Sequence, residues 1–245
     1  MALTVDMPAE SADAAPALQL SLLRGFELRA HDQAADVPHN VQRLLAFLAV
    51  SGTPQHRVKI AGTLWTDSSD ERAAANLRTA LWRARRIDGG LVATRGSYIR
   101  LGDQVEIDLE RAVERARQVV IDPLQCDPSA VPRIFAIDDL LPEWYDDWVL
   151  FERERLRQLL LHSLEILCGQ LSQSGRHGLA IEAGLAAVAA EPLRESAQRA
   201  LIAAHVHEGN IGEAVRQYDQ FALVLADSLG IEPSESLRAL VAPCR

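Results

Sequence analysis

Between a polar turn at residues 66–69 and the pair Gly89-Gly90 lies the stretch DERAAANLRTALWRARRI (Asp70–Ile87), which can bury only one of its two sides. At about 100° per residue, Ala73, Ala74, Leu77, Ala80, Leu81 and Ala84 fall on one side, and Arg72, Asn76, Thr79, Trp82, Arg83 and Arg86 on the other. The spacing predicts an amphipathic helix that packs its alanine and leucine face on a core. The opposite face carries guanidinium groups and small hydrogen-bonding side chains, which is what a helix in the major groove of DNA presents. A merely solvated arginine-rich face is the competing interpretation.

Charge sharpens the contrast. The chain of 245 residues has a formal charge of -9, which argues against a general nucleic-acid binder. Residues 57–100 run the other way. They hold nine cations (Arg57, Lys59, Arg72, Arg78, Arg83, Arg85, Arg86, Arg95 and Arg100) against four acids (Asp67, Asp70, Glu71 and Asp88), a local excess of +5 that leaves -14 elsewhere. A basic patch on an anion-repelling body favours one docked orientation over indiscriminate coating. The three cysteines, Cys126, Cys168 and Cys244, lack paired spacing, so neither a disulfide framework nor a zinc site is indicated and a reducing compartment is expected. Residues 1–17 contain acids and prolines but no basic segment followed by an apolar one, and no apolar run reaches membrane-span length. The expectation is a cytoplasmic protein with a disordered leader over residues 1–17.

Around the two-faced helix the elements follow a recognisable order. Residues 18–23 (LQLSLL) and 26–29 (FELR) flank Arg24-Gly25 and read as short strands, with a further turn at residues 30–36. Asn40 is placed to cap a helix in which Val41, Leu44, Leu45 and Leu48 repeat at helical spacing up to Gly52 and Pro54. A second helix over residues 58–65 would pack Ile60, Ala61, Leu64 and Trp65. After Gly89-Gly90, residues 91–94 (LVAT) and Tyr98–Leu101 (YIRL) read as a hairpin around Arg95-Gly96-Ser97, with Arg95 at the tip. Strands, three helices and a basic hairpin are the order of a winged helix-turn-helix, in which the third helix enters the major groove and the hairpin meets the adjacent backbone or minor groove. The hairpin also reads as an ordinary closing strand pair.

Beyond Asp108 the pattern becomes helical, broken by a loop at residues 122–133 containing Pro123, Pro128 and Pro132. Gly175 and Gly209, Ala180 and Ala214, and Leu167 and Leu201 are each separated by the 34-residue period of a tetratricopeptide repeat. In the first unit Leu161, Leu164, Leu167, Leu171, Gly175, Ala180, Ala187 and Pro192 occupy the large, turn, small and stop positions. The second keeps Leu201, Gly209, Ala214 and Tyr218 but lacks proline at Ala226 and ends through Gly230 and Pro233. Stacked helical repeats create surfaces, so any partner site belongs on their polar positions. The expected fold class is mainly α with a small β component: a winged helix-turn-helix domain over residues 18–109, then an all-α tetratricopeptide-like domain over residues 110–245.

Motifs for catalysis are missing. The sequence contains no Walker-type phosphate loop, no G-x-S-x-G and no H-E-x-x-H, so an enzyme is not expected, and no cofactor or metal is implied. His205 and His207, two apart on a helix, face different ways and read as surface or packing residues. The acid pairs Asp138-Asp139 and Asp146-Asp147 read as helix-start decoration or a solvated face. Trp144, Tyr145 and Trp148 read as a packing cluster, with an exposed protein-binding patch as the alternative.

Taken together, LLAFLAVSG (residues 44–52), IAGTLW ending at Trp65, ANLRTALWRARR (residues 75–86), GSYIRL at the hairpin and the Ile107-Asp108 step resemble the streptomycete antibiotic regulatory proteins. In the second half, FERERLRQL (residues 151–159), EPLRESAQRALIAAH (residues 191–205), AVRQY (residues 214–218) and LADSLGIEPSESLRAL (residues 225–240) are similar to that family's bacterial transcriptional activator domain, LGIEPS being the most distinctive. The resemblance covers residues 18–240. It implies an OmpR-like winged helix joined to a tetratricopeptide-like activation domain, head-to-tail binding to promoter direct repeats, and recruitment of RNA polymerase holoenzyme. Two departures stand out. Gly96-Ser97-Tyr98 replaces the family's Gly-Tyr at the wing, and residues 119–141 fit the pattern poorly. With no receiver or nucleotide-binding domain in the sequence, a stand-alone form without phosphorelay or ATP control is expected.

The resulting expectation is a sequence-specific transcriptional activator. Asn76, Thr79 and Arg83 would face base edges, with Arg83 placed for a bidentate guanine contact. Arg72, Arg78, Arg86 and Arg95 would hold phosphates. Activation rests on the resemblance alone, and a repressor with the same fold stays open. The rival from another class is a protein-interaction adaptor whose N-terminal domain does not bind DNA.

Overall fold

The computed structural model describes residues 18–122 and 139–244. The expected leader, the proline-containing loop after Asp122, Cys126 and Asp138 lie outside them. The chain divides into two compact units, residues 1–108 and 109–245.

In the first unit, strand β1 (Leu18–Ser21) turns Leu18 and Leu20 inward and pairs antiparallel with β2 (Glu27–Ala30), setting Leu20 opposite Leu28. A turn at His31 and Asp32, both at positive φ, returns the chain as β3 (Gln33–Ala34). The opposite edge of β1 is filled by β7 (Val105–Ile107), which runs parallel to it and completes the order β3-β2-β1-β7. The Asp108 carboxylate, immediately after β7, accepts hydrogen bonds from the backbone N–H of Leu22 (2.9 and 3.1 Å) and of Leu23 (3.1 Å). That use of Asp108 gives the Ile107-Asp108 step a physical reason, since the carboxylate satisfies backbone donors where β1 ends.

Helix α1 (His39–Ser51) buries Val41, Leu44, Leu45 and Leu48. Its N-cap is Pro38 rather than Asn40, which lies inside the first turn; Pro38 carries the extended backbone that a cap position requires (φ -57°, ψ 140°) and leaves the Asn40 side chain free for another partner. Helix α2 (Arg57–Leu64) is capped by His56, whose Nδ1 accepts from the Val58 N–H at 3.4 Å, and it ends at Trp65. Helix α3 (Asp70–Ile87) buries Ala73, Leu77, Ala80, Leu81 and Ala84, with Asp70 and Glu71 in its first turn and Arg85 and Arg86 in its last, an arrangement that complements the helix dipole.

Strands β5 (Val92–Arg95) and β6 (Tyr98–Leu101) form the hairpin, with a two-residue turn at Gly96-Ser97 and Gly96 at φ +59°. Arg95 is therefore the last strand residue, paired with Tyr98, and not the tip. The two-residue strand β4 (Gln55–His56) pairs with β6 and gives the order β4-β6-β5. The hairpin closes tightly: a Cβ on Gly102 would sit 1.7 Å from the Gly90 carbonyl oxygen.

The second unit is helical among its described residues: α4 (Asp108–Ile121), α5 (Asp147–Gln173), α6 (His177–Ala190), α7 (Glu195–Glu208), α8 (Ile211–Leu229) and α9 (Glu235–Val241), then a single 3-10 turn (Ala242–Cys244). Gly175 and Gly209 follow the first helix of each pair in left-handed conformation, at φ +76° and +85°, which gives the 34-residue glycine spacing its cause. Leu164, Leu167, Leu171, Ala180, Ala183 and Ala187 form one core and Ile202, Ala214, Tyr218, Phe221, Leu225 and Leu237 another. At Gly184 a Cβ would press on Leu201 at 3.0 Å, so α6 and α7 approach through glycine. Cys168 belongs to this core: its thiol is buried, donates to the Ala200 carbonyl at 3.3 Å, and is pushed up to about 12 by burial. His207 Nδ1 lies 2.9 Å from Ser172 Oγ, whereas His205 Nδ1 is buried without such a partner, as a two-residue helical spacing requires. Trp144 and Trp148 meet edge to face at 6.4 Å.

The LGIEPS segment is a helix stop followed by a cap. Gly230 ends α8 at φ +67°, Pro233 is buried, and the Ser234 hydroxyl accepts from the Leu237 N–H at 3.3 Å to start α9. Ser234 also donates to the Glu195 carboxylate of α7 through its backbone N–H (2.9 Å) and its hydroxyl. Burial pushes Glu195 up, yet these bonds and one from Arg199 outweigh it and hold the carboxyl below its usual range. No helix among the described residues is long and apolar enough to cross a membrane.

Candidate nucleic-acid interface

The solvent face of α3 is held between two neighbours by its own side chains. On one flank, Arg85 donates to Thr94 Oγ1 of β5 at 3.1 Å, which ties the helix to the hairpin. On the other, Arg83 donates through one guanidinium nitrogen to Asn40 Oδ1 at 3.3 Å, which ties it to the first turn of α1. The hairpin turn is fastened in turn to α2, because the Arg57 N–H donates to the Ser97 carbonyl at 2.9 Å and the His56 ring meets Tyr98 edge to face at 5.4 Å. Three elements thus hold one surface in fixed relation.

Between the flanks the sequence-predicted residues spread over three settings. Arg72, Arg78, Thr79, Arg83 and Arg86 are exposed along α3, and Arg95 is exposed at the end of β5; Asn76 is half-buried. Thr79 Oγ1 donates back to the Ala75 carbonyl at 3.1 Å, so its donor is occupied and its lone pairs face out. The Arg86 guanidinium lies over the Trp82 ring, 5.0 Å from its centroid. Among the described residues, Arg72, Arg78, Arg83, Arg86 and Arg95 make no ion pair. Arg100 differs. It is engaged through both guanidinium nitrogens by Asp103, one bond measuring 2.7 Å, and these bonds raise the Arg100 pKa and lower that of Asp103.

Chemically the surface can accept anions along a helix face and hydrogen-bond donors and acceptors in its middle. Asn40 and Arg85 escaped the sequence reading, Asn40 because its position suggested a cap and Arg85 because its partner lies on a separate strand. The signal available for Arg85 was its seven-residue spacing from Arg78, which puts both on one stripe of the helix. Among the described residues no group of three or more His, Cys, Asp or Glu side chains is poised to hold a metal.

Comparison with known proteins agrees with this architecture. Residues 136–244 match the bacterial transcriptional activator domain. The regulatory protein AfsR of Streptomyces coelicolor is 27% identical over 222 residues, covering 84% of this chain and 22% of AfsR; that of Streptomyces griseus is 26% identical over 227 residues, covering 89% and 23%. The chain therefore spans under a quarter of the length of these relatives. A solved structure of Mycobacterium tuberculosis EmbR, in complex with a low-affinity phosphopeptide, shares the fold at a TM-score of 0.76 and 20% identity, over 93% of this chain and 65% of that one. With an activator-domain match over residues 136–244, two AfsR relatives and a fold shared with EmbR, the chain is similar to transcriptional regulators of the streptomycete antibiotic regulatory protein type.

Proposed function

We propose that this protein is a sequence-specific DNA-binding activator of transcription that works in the cytoplasm. In this reading residues 18–109 form the DNA-binding domain and residues 110–245 the activation domain. Helix α3 lies in the major groove with Asn76, Thr79 and Arg83 toward base edges. Arg72, Arg78, Arg86 and Arg95 hold phosphates, two copies bind direct repeats head-to-tail, and the helical domain recruits RNA polymerase holoenzyme. The observation that carries the reading is the row of exposed guanidinium groups on α3 and β5 without ion-pair partners among the described residues, on a chain of net charge -9. Unpaired cations in a fixed row on an acidic protein fit an external polyanion that approaches in one orientation.

The bond between Arg83 and Asn40 refines the role of Arg83. It uses one of five donors, leaving the rest of the fork for a base or phosphate while fixing the side chain's direction. The test is footprinting of the purified chain on the DNA upstream of its own gene at two salt concentrations, beside Arg83→Ala. A discrete footprint over repeated sites, weakened by salt and lost in the variant, supports the activator's DNA-binding step. Absent or salt-insensitive binding favours the adaptor, and the search then moves to protein partners of residues 110–245.

A further inference from the structure

Trp82 is the one side chain on the outward face of α3 that neither the hydrogen-bonding nor the charge argument uses. It is 58% exposed, an unusual setting for so large an apolar ring on a helix that buries Leu77 and Leu81 and half-buries Ile87. It is also held in place. Arg86, one turn on, lies over the ring at 5.0 Å, a cation–π contact that restricts both side chains. Thr79, Trp82 and Arg86 follow one another at spacings of three and four, so they form a single stripe along the helix. That stripe runs between the flank where Arg85 reaches the hairpin and the flank where Arg83 reaches α1.

The major groove offers one apolar feature to such a ring, the C5-methyl group of thymine. Hydrogen-bonding edges and phosphates are matched by the polar side chains around it; an indole whose polar N–H is a single donor is matched by a methyl. We propose that Trp82 is a specificity-determining residue that reads a thymine methyl group in the target site, with Arg86 as the positioning residue that holds the ring toward it. The proposal rests on the DNA-binding reading above and adds a base preference to it.

Replacing thymine by uracil removes only the methyl and leaves every hydrogen-bonding group unchanged. The duplex most enriched by the full chain from a random-sequence library is resynthesised with uracil at each thymine in turn, and affinity is measured for the wild type, Trp82→Ala and Trp82→Phe. The expected result is one position, or one per repeat, at which uracil weakens wild-type binding about three- to fivefold, the scale of one buried methyl. Trp82→Ala loses that discrimination and Trp82→Phe retains part of it. Arg86→Ala weakens binding to both duplexes and reduces the difference between them. A methyl effect that persists in Trp82→Ala assigns the reading to another residue and overturns the proposal. Equal weakening of thymine and uracil duplexes by Trp82→Ala places the ring on the sugar–phosphate backbone and overturns it as well, as does enrichment of a site at which no uracil matters. Failure to enrich any duplex removes the DNA-binding reading itself, and this proposal with it; the first three outcomes leave that reading intact.

Discussion

Arginines on α3 and β5 and those of the helical unit meet different fates. In the helical unit six are spent on acids of the same chain: Arg155 on Glu152, Arg157 on Glu154 and Glu191, Arg194 on Glu165, Arg199 on Glu195, Arg216 on Glu213 and Arg238 on Glu232. Arg153 instead donates to three carbonyls, those of Leu140, Leu141 and Trp144. On α3 and β5, Arg72, Arg78, Arg86 and Arg95 have no such acid among the described residues. One residue type thus serves two ends. A guanidinium paired within the chain braces a turn of its own helix or, as at Arg157–Glu191 and Arg194–Glu165, ties neighbouring segments, and one left unpaired keeps its charge for something outside. The acidic composition of the chain makes the second group informative, because carboxylates to pair with it are abundant and are placed elsewhere.

The comparison breaks first, and hardest, at Arg194. Its Nε lies 2.6 Å from Glu165, which also accepts from Ser196 Oγ at 2.7 Å, and both partners are mostly shielded from water. Arg194→Ala leaves the Glu165 charge largely buried and short of its partner, and should destabilise the helical unit by about 2–3 kcal/mol, read as a lower urea midpoint with DNA affinity unchanged. If DNA affinity falls with it, the division between structural and free arginines is not as drawn. Arg83→Ala is the reverse case: an unchanged urea midpoint, and about 1–3 kcal/mol less discrimination at one base position, measured by competition between operator variants. A loss of affinity that is uniform over all sequences would move Arg83 to the phosphate group.

A smaller effect belongs to Ser234, which caps α9 and donates to Glu195. Ser234→Ala should cost about 1 kcal/mol at neutral pH. Because the Glu195 carboxyl is held below its usual range in the folded protein, its contribution is present above the unfolded value near 4.5 and is lost as the pH falls through the folded one. The difference between wild type and Ser234→Ala should therefore shrink in acid, measured by denaturation at pH 7 and pH 3.5. A difference that stays constant would mean the cap alone supplies it.

What could be read from residue order, and what could not, divides along physical lines. Helix α3 was legible from end to end because its periodicity, its acidic first turn and its glycine stop agree. The 34-residue spacing was legible because left-handed glycines recur with it. Strands β4 and β7 were not, since two or three residues carry no period; each exists only because a distant strand, β6 or β1, offers a free edge. The same holds at the candidate interface. The outward residues of α3 follow from the helix angle alone. The bonds that fix them, Arg83 to Asn40 across 43 residues and Arg85 to Thr94, depend on how α1 and the hairpin pack, and no local pattern announces them. Asn40 shows the cost of local rules: a good capping residue by type, it was displaced by Pro38 two positions earlier and put to a different use.

The phosphate group sharpens the comparison at finer scale. Arg72→Ala, Arg78→Ala, Arg86→Ala or Arg95→Ala should each lower affinity for all sequences and reduce the slope of log affinity against log salt by about 0.9, while Arg216→Ala, whose charge is already answered by Glu213, leaves the slope where it was. Arg100 tests the rule from the other side. It sits in the basic segment yet is paired with Asp103, which is itself exposed. Asp103→Asn removes the partner's charge without altering the shape of the side chain, so the guanidinium becomes available to solvent or to a phosphate. Stability should hardly change, because an exposed ion pair is worth little in water. If unpaired charge is what equips the first unit for DNA, affinity should rise slightly and the salt slope steepen by a fraction of one contact, both abolished in Asp103→Asn with Arg100→Gln. An unchanged slope would show that position along α3 and β5, and not freedom from an acid, decides which arginines meet the phosphates.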